Sequence, residues 1–448
     1  MGAEGSRLQQ VVGHWLPRIQ TAGVTGGDAA RLIAAAGEWP EWCRTWSREA
    51  ERHLAEAEAA LRRRRAVTAG EAYLRAALCF HFGQFMFFDD LEQKEAAARR
   101  KVEAYRRAAP LLVPPAKPIA VPYGAGALHG YLRLPAHEPA PLVFIIPGSD
   151  STKEEFASLE EHFLKRGLAT LSLDGPGQGE GRSHGPLTPD WAPVFRAVDE
   201  ALAREAGLDG RIGVMGMAFG GHLALQGAHA LPRLAGAVCM NGFYDLGSFW
   251  DALPDVYRAN MRFALGGATV DETAARARRF TLAGVEPPAC PILALHGGQD
   301  RIFPPSDAER LKTFGTRGSE LVVFPEGNHV CTGKQALDLG LVDKLGSMSD
   351  AVAFAADQAK IKDYDVRVVP EPKSFLEQLM EEFSGDRDED EGHVRLAAGR
   401  DSLLKLAAPY LQHLDPRRTA AVASVLRRLE ILQQEGVALT MPEILAAQ

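Results

Sequence analysis

The stretch VMGMAFGGHLAL, residues 214–225, decides the fold. An apolar run from residue 211 reaches Gly216, and Gly220 and Gly221 follow before a helical pattern begins. Small residues at this spacing let a chain turn sharply from strand into helix and hold one side chain at the tip of the turn. The tip is a nucleophile position, and the residue standing there is Ala218. A methyl group cannot attack a carbonyl, so covalent catalysis from this position is excluded.

Outward from this turn the same rhythm repeats. Residues 142–148 (LVFIIPG), 168–177 (LATLSLDGPG), 234–242 (LAGAVCMNG), 291–298 (PILALHGG) and 320–327 (ELVVFPEG) are short apolar runs ending in glycine or a polar turn. Helical spacers separate most of them, which predicts an α/β architecture with a mostly parallel, doubly wound sheet. One spacer, residues 243–288, is long, helical and aromatic, as expected of a cap over the C-terminal edge of the sheet. Residues 1–115 are helical in pattern, and the aromatic stretch ALCFHFGQFMFFDD within them is too apolar for a surface helix. The Pro-rich LLVPPAKPIAVPYG closes that segment as a boundary. The expected organisation is a helical lid segment over 1–115 and a sheet core over 116–331. A further fragment occupies 332–385, and a helical tail over 386–448 opens with the acidic linker DRDEDE.

In open parallel sheets reactive groups collect at the C-terminal ends of the strands. Asp300 follows the run 291–298 and His329 follows the run 320–327. Tip, acid and base thus occur in that order, about 80 and 30 residues apart, the order of nucleophile, acid and base in this architecture. His329 is the expected base and Asp300 the group that orients it. A lone Asp or His in a turn is ordinarily a cap or turn residue, but three in order at three strand ends are not explained that way. The backbone N–H groups of Phe219 and of Ser149, in the loop PGSDSTKEEF, are the expected oxyanion donors. Asp150 beside Ser149 either faces substrate or caps a helix starting near Lys153. A carboxylate so placed repels developing negative charge unless it is protonated or engaged. His81 reads either as a core histidine or as part of a substrate pocket. LDGPGQGEG lacks the Lys-Ser/Thr ending of a phosphate loop and the dinucleotide spacing, so it reads as a tight strand-exit turn bordering the pocket. Ser149, Ser151 and Cys331 read as structural residues, not substitute nucleophiles.

A hydrophobic content of 46% and a charged content of 24% lie in the soluble globular range. A net charge of −8 argues against nucleic acid or an anionic membrane as partner. Five dispersed cysteines indicate reduced thiols in a cytoplasmic protein, with no disulfide or zinc framework, and no apolar run is long enough to span a membrane. No cofactor or metal is expected. The expected partner is a small carbonyl or ester substrate, and a homodimer through the terminal helices is compatible with the pattern.

GEAYLRAALCFHFGQFMFFDD (70–90), GSDSTKEEF (148–156), LDGPGQGEG (173–181) and the turn with GGHLAL together resemble one α/β-hydrolase family over residues 11–331. It is the family of 2,6-dihydroxypseudooxynicotine hydrolase, fermentation/respiration-switch proteins and polyketide chain-shortening hydrolases. The resemblance implies an α/β-hydrolase fold. It also implies cleavage of an ester, or of a C–C bond beside a carbonyl, by a Ser-His-Asp triad in which Asp300 and His329 keep their places. Asp150 matches an acidic position near the substrate. The family's serine falls on Ala218, which is one departure. The other begins at Thr332, where TGKQALDLGLVDKLG and the residues after it resemble the C-terminal part of signal-peptide-peptidase (protease IV-like) proteins without their upstream catalytic residues. That segment brings no peptidase activity, and Lys334 in it reads as an exposed helix residue. A natural fusion and a misassembled gene both account for the join. The sequence leaves three readings: a hydrolase whose serine has been replaced, a pseudoenzyme that binds a small carbonyl compound, or a non-enzymatic chimera disrupted around His329.

Overall fold

The computed structural model describes residue 8 and residues 12–316, 318–325 and 327–329. Cys331, Lys334 and the segments 332–385 and 386–448 lie outside the described residues. Among the described residues five α-helices come first: α1 (Leu16–Ala22), α2 (Gly26–Ala36), α3 (Trp42–Arg62), α4 (Ala66–Gln84) and α5 (Leu91–Ala108). Local chemistry starts two of them. Thr25 caps α2 by accepting from Asp28 N, and Asp90 caps α5 by accepting from Gln93 N. α4 carries the apolar stretch singled out in the sequence, and its last turns, from Ala76 to Gln84, are buried all round between α3, α5 and the loops of the core.

The core alternates strand and helix: β1 (Lys117–Tyr123), β2 (Gly126–Arg133), β3 (Ala140–Ile146), α6 (Ala157–Leu164), β4 (Ala169–Leu173), α7 (Ala192–Leu202), β5 (Leu208–Met217) and α8 (Phe219–Ala228). After these come β6 (Leu234–Met240), α9 (Asp255–Leu265), α10 (Val270–Ala277), β7 (Ile292–Gly297), α11 (Pro305–Phe314) and β8 (Glu320–Phe324). The strands form one eight-stranded sheet in the order β1-β2-β4-β3-β5-β6-β7-β8. β3 to β8 run parallel, with Phe144 paired to both Leu171 and Val214 in the centre. All five residues of β4 are buried, as a strand covered on both faces requires. The result is the α/β-hydrolase architecture.

The Pro-rich boundary is not a bare linker, because its second half is β1, paired antiparallel with β2, which in turn pairs antiparallel with β4. Pro118 and Pro122 are tolerated there because β1 is an edge strand, where a missing N–H costs the ladder little. Between β6 and β7 the chain leaves the sheet for a 3₁₀ turn (Leu246–Ala252), α9 and α10, closed by a bridge between Asp245 and Thr281. The chain segments leaving β3, β5, β6, β7 and β8 emerge along one edge of the sheet, and they carry the residues that build the site.

Candidate active site

β5 ends at Met217, and the chain reverses through Ala218, whose φ of 52° and ψ of −119° lie outside the helical and extended regions. A non-glycine residue there carries strain of roughly 1–3 kcal/mol and persists only where its surroundings impose it. They do impose it. Ala218 N donates to Met240 O at 2.8 Å, and Gly221 N donates to Ala218 O at 2.9 Å. A Cβ on Gly216 would stand 2.0 Å from Gly220 O, and one on Gly220 would stand 2.3 Å from Ile146 O. The turn therefore closes only with glycine at both places, and Ala218 is left half-buried at its tip. Phe219 opens α8, where the backbone N–H has no carbonyl of its own helix to bond.

His329 Nδ1 donates to Asp300 Oδ2 at 2.7 Å. Asp300 is buried, and four donors hold its carboxylate. Oδ1 accepts from Ile302 N and Phe303 N at 2.8 and 3.0 Å, and Oδ2 accepts from His329 and from Asn241 Nδ2 at 2.9 Å. Burial alone would raise the Asp300 pKa, but the His329 charge and these hydrogen bonds hold it below the ordinary carboxylate value. With Nδ1–H fixed on Asp300, His329 presents Nε2 as its basic atom. Its side chain is 19% exposed, and its ring packs edge-on against Phe303. Asn241 ties Asp300 to the loop that carries His329, since its Nδ2 also donates to Asn328 O at 3.2 Å. It does so from a left-handed backbone (φ 48°) at the exit of β6. Gly298 N to Phe324 O (2.7 Å) and Gln299 N to Gly327 O (2.8 Å) join the exits of β7 and β8. The junction is so close that a Cβ on Gly297 would lie 2.1 Å from Asn328 O.

The third part of the site is the loop after β3. Gln178 Nε2 donates to Pro147 O at 2.5 Å and to Gly148 O at 3.2 Å. C=O and N–H point oppositely across a trans peptide, so the Ser149 N–H is directed away from Gln178. A Cβ built on Gly148 would stand 3.7 Å from the Ala218 Cβ, which brings this loop beside the tip of the turn. The Ser149 hydroxyl accepts from Asn260 Nδ2 of α9 at 2.9 Å, and the buried Ser151 hydroxyl donates to Glu155. Both serines are held in structural bonds. LDGPGQGEG is a strand-exit turn whose Gln178 braces the loop and whose Asp174 accepts from Lys153 N at 2.8 Å.

Asp150 does not cap the turn at Lys153, because the N-cap residue there is Thr152. Asp150 Oδ2 instead accepts from Arg18 Nη1 of α1 at 3.1 Å. Arg18 also grips Glu155 with Nε and Nη2, at 2.6 and 2.8 Å. His81 is fully buried on α4, with Nε2 3.1 Å from Glu155 Oε2. Burial pushes its pKa down despite that carboxylate, and His81 forms part of the wall behind the loop. Among the aromatics, Phe82, Phe85, Phe243 and Trp250 are buried in the hydrophobic core, and Tyr244 packs against its margin. Tyr257 of α9 is also buried, and its hydroxyl accepts from Trp15 Nε1 at 3.3 Å. Sequence reasoning missed Arg18, Gln178, Asn241 and Asn260. Only Asn241 carried a local signal, an Asn-Gly pair directly after a strand.

A protein-family model for FrsA-like esterases matches residues 36–335. The chain is 35% identical over 298 residues to 2,6-dihydropseudooxynicotine hydrolase of Paenarthrobacter nicotinovorans, covering 65% of this chain and 79% of that protein. It is 32% identical over 253 residues to the α/β hydrolase pydG of an Acremonium species, covering 52% of this chain and 59% of that protein. This chain therefore spans less than two thirds of the fungal relative. The crystal structure of 2,6-dihydroxy-pseudo-oxynicotine hydrolase superimposes with a TM-score of 0.65 at 31% identity, covering 71% of this chain and 91% of that one.

Proposed function

Because this chain belongs to the FrsA-like esterase family, we propose that it is an α/β-hydrolase of the ester or C–C class that binds a small carbonyl compound at Ala218 and turns it over very slowly. One observation carries the reading. The backbone of Ala218 keeps a strained nucleophile turn (φ 52°), while the hydrogen-bonded pair His329–Asp300 stands complete without it. Turnover suffers because the chain has no hydroxyl at the tip. Removing the serine of subtilisin costs on the order of 10⁶ in turnover. The oxyanion donors and binding alone leave roughly 10³–10⁴ over water. In this reading the N–H groups of Phe219 and Ser149 hold the carbonyl oxygen, Asp150 faces the substrate side of the loop, and His329 is the base oriented by Asp300. A natural pseudoenzyme that keeps the pocket for binding is the second reading, and the same retained geometry favours it.

The test is Ala218→Ser, assayed on a panel of aryl esters and 1,3-diketones. Turnover that appears with the serine and disappears again with His329→Gln supports the hydrolase. Ligand binding by the parent, with no turnover in the serine variant, supports the pseudoenzyme. A folded serine variant that neither turns over nor binds any member of the panel refutes both, and protease sensitivity at residues 325–340 in that case points to the chimera.

A further inference from the structure

Arg18 lies on α1, far in sequence from the loop it holds, and its whole guanidinium is committed there. Nε and Nη2 take the two oxygens of Glu155, Nη1 takes Asp150 Oδ2, and the guanidinium carbon lies over the Phe85 ring 4.6 Å from its centroid. Glu155 is already buried, accepts from the Ser151 hydroxyl, and has His81 Nε2 3.1 Å from its Oε2. Asp150 is different, because it sits beside the tip of the turn. Its Oδ1 lies 3.3 Å from a Cβ built on Gly148, and that same point is 3.7 Å from the Ala218 Cβ. No more than about 7 Å, the sum of these two distances, separates the carboxylate oxygen from the methyl that marks the reacting position. Two other cations packed at this loop pair with other carboxylates: Lys101 of α5 with Glu154 at 3.0 Å, and Lys153 with Glu154 at 2.6 Å, Asp174 at 2.9 Å and Glu180 at 2.7 Å.

We propose that Arg18 is a positioning residue of the oxyanion site: by pairing Asp150 it removes a negative charge that would otherwise repel an anionic oxygen bound at Ala218. The inference rests on Ala218 marking a carbonyl-binding site. The ligands concerned are carboxylate products and the oxyanion of a tetrahedral adduct, and neutral ketones or esters are affected little. A unit charge about 7 Å away, at an effective dielectric of about 20, changes the affinity of an anion roughly fifty-fold, and full water screening reduces this to about three-fold. The site is partly buried, so a change of about ten-fold or more is expected. The N-terminal helix thus belongs to the electrostatics of the site and does more than cover it.

The experiment measures binding of benzoate and of acetophenone, by calorimetry at constant ionic strength, to the full chain and to Arg18→Gln, Asp150→Asn and the double variant. Arg18→Gln should weaken benzoate about ten-fold or more and acetophenone less than three-fold. The double variant should return benzoate to within three-fold of the parent while staying less thermally stable, because Glu155 remains without its arginine. Equal losses for both ligands, or no recovery in the double variant, would make Arg18 a purely structural clamp and overturn the proposal. Should Arg18→Gln not fold, Asp150→Asn alone decides: benzoate binding tightened at least three-fold supports the proposal, and unchanged binding overturns it. A parent protein that binds neither ligand overturns the carbonyl-site reading itself, and with it this inference.

Discussion

Replacing Ala218 by glycine should stabilise the protein, although it removes atoms from the fold. The residue sits at φ 52° and ψ −119°, a conformation held by the Met240 and Gly221 hydrogen bonds and by close contacts of Gly216 and Gly220. A side chain in such a region costs roughly 1–3 kcal/mol, and glycine relieves it. Two terms oppose the gain. The unfolded chain becomes more flexible, at about 0.4–1 kcal/mol, and a half-buried methyl is lost, at less than about 0.8 kcal/mol. The strain term is the largest, so a net gain near 1 kcal/mol is expected, read as a rise of a few degrees in Tm. Two companions test the cause. Ala218→Ser keeps the Cβ and should match the parent within about 0.5 kcal/mol. Ala218→Val adds a β-branch to the disfavoured backbone and should lose about 2 kcal/mol or more. Thermal unfolding of the three variants beside the parent is sufficient. A glycine variant less stable than the parent by more than about 0.5 kcal/mol would show that the turn is not strained, and a preserved nucleophile geometry would lose its support.

Two further predictions concern buried polar groups. Asn241→Ala removes the amide that joins Asp300 to Asn328 O. It should destabilise the fold by about 1–3 kcal/mol and, in the Ala218→Ser background, lower kcat far more than it changes KM. An unchanged kcat would show that the acid–base pair holds itself in place. Lys94 is buried on α5 with Nζ on Gln84 O and Oε1 (2.6 and 2.9 Å), near the rings of Phe88 and Phe263, and burial lowers its pKa to about 7. The unfolded chain holds this proton up to about pH 10.4. Between pH 7 and 10 the unfolded state therefore binds more protons, and stability rises with pH through that window. Lys94→Met should remove the rise, so the stability of the parent relative to the variant should grow from pH 7 to 10 in denaturation curves. A constant difference would refute the burial argument.

Much of the site is legible because its signals are local. The strand runs at 142–148, 234–242 and 291–298 appear as β3, β6 and β7, and the glycines around residue 218 mark a turn that no other residue type could close. Asp300 and His329 are recognisable from their places after strands, and the structure joins them at 2.7 Å. β1 is hidden because Pro118 and Pro122 read as breakers, and only its position at the sheet edge makes them acceptable. Asp150 looks in the sequence as much like a helix cap as a functional carboxylate, since its partner lies 132 residues away and leaves no trace in the neighbouring residues.

The sequence by itself therefore determined the alternation of strands and helices from β3 onward, the sharp turn at residue 218, the methyl that occupies it, and the places of Asp300 and His329 after their strands. These rest on hydrophobic period, glycine placement and chain order, all of which act over a few residues or along the chain. Only the tertiary structure decided which charges meet. Arg18 against Asp150 and Glu155, Gln178 against the carbonyls of Pro147 and Gly148, and Asn241 between Asp300 and Asn328 all depend on how separate elements pack. The physical reason is that a buried charge or amide must find a partner wherever packing brings one within about 3 Å, and that distance is a property of the folded chain.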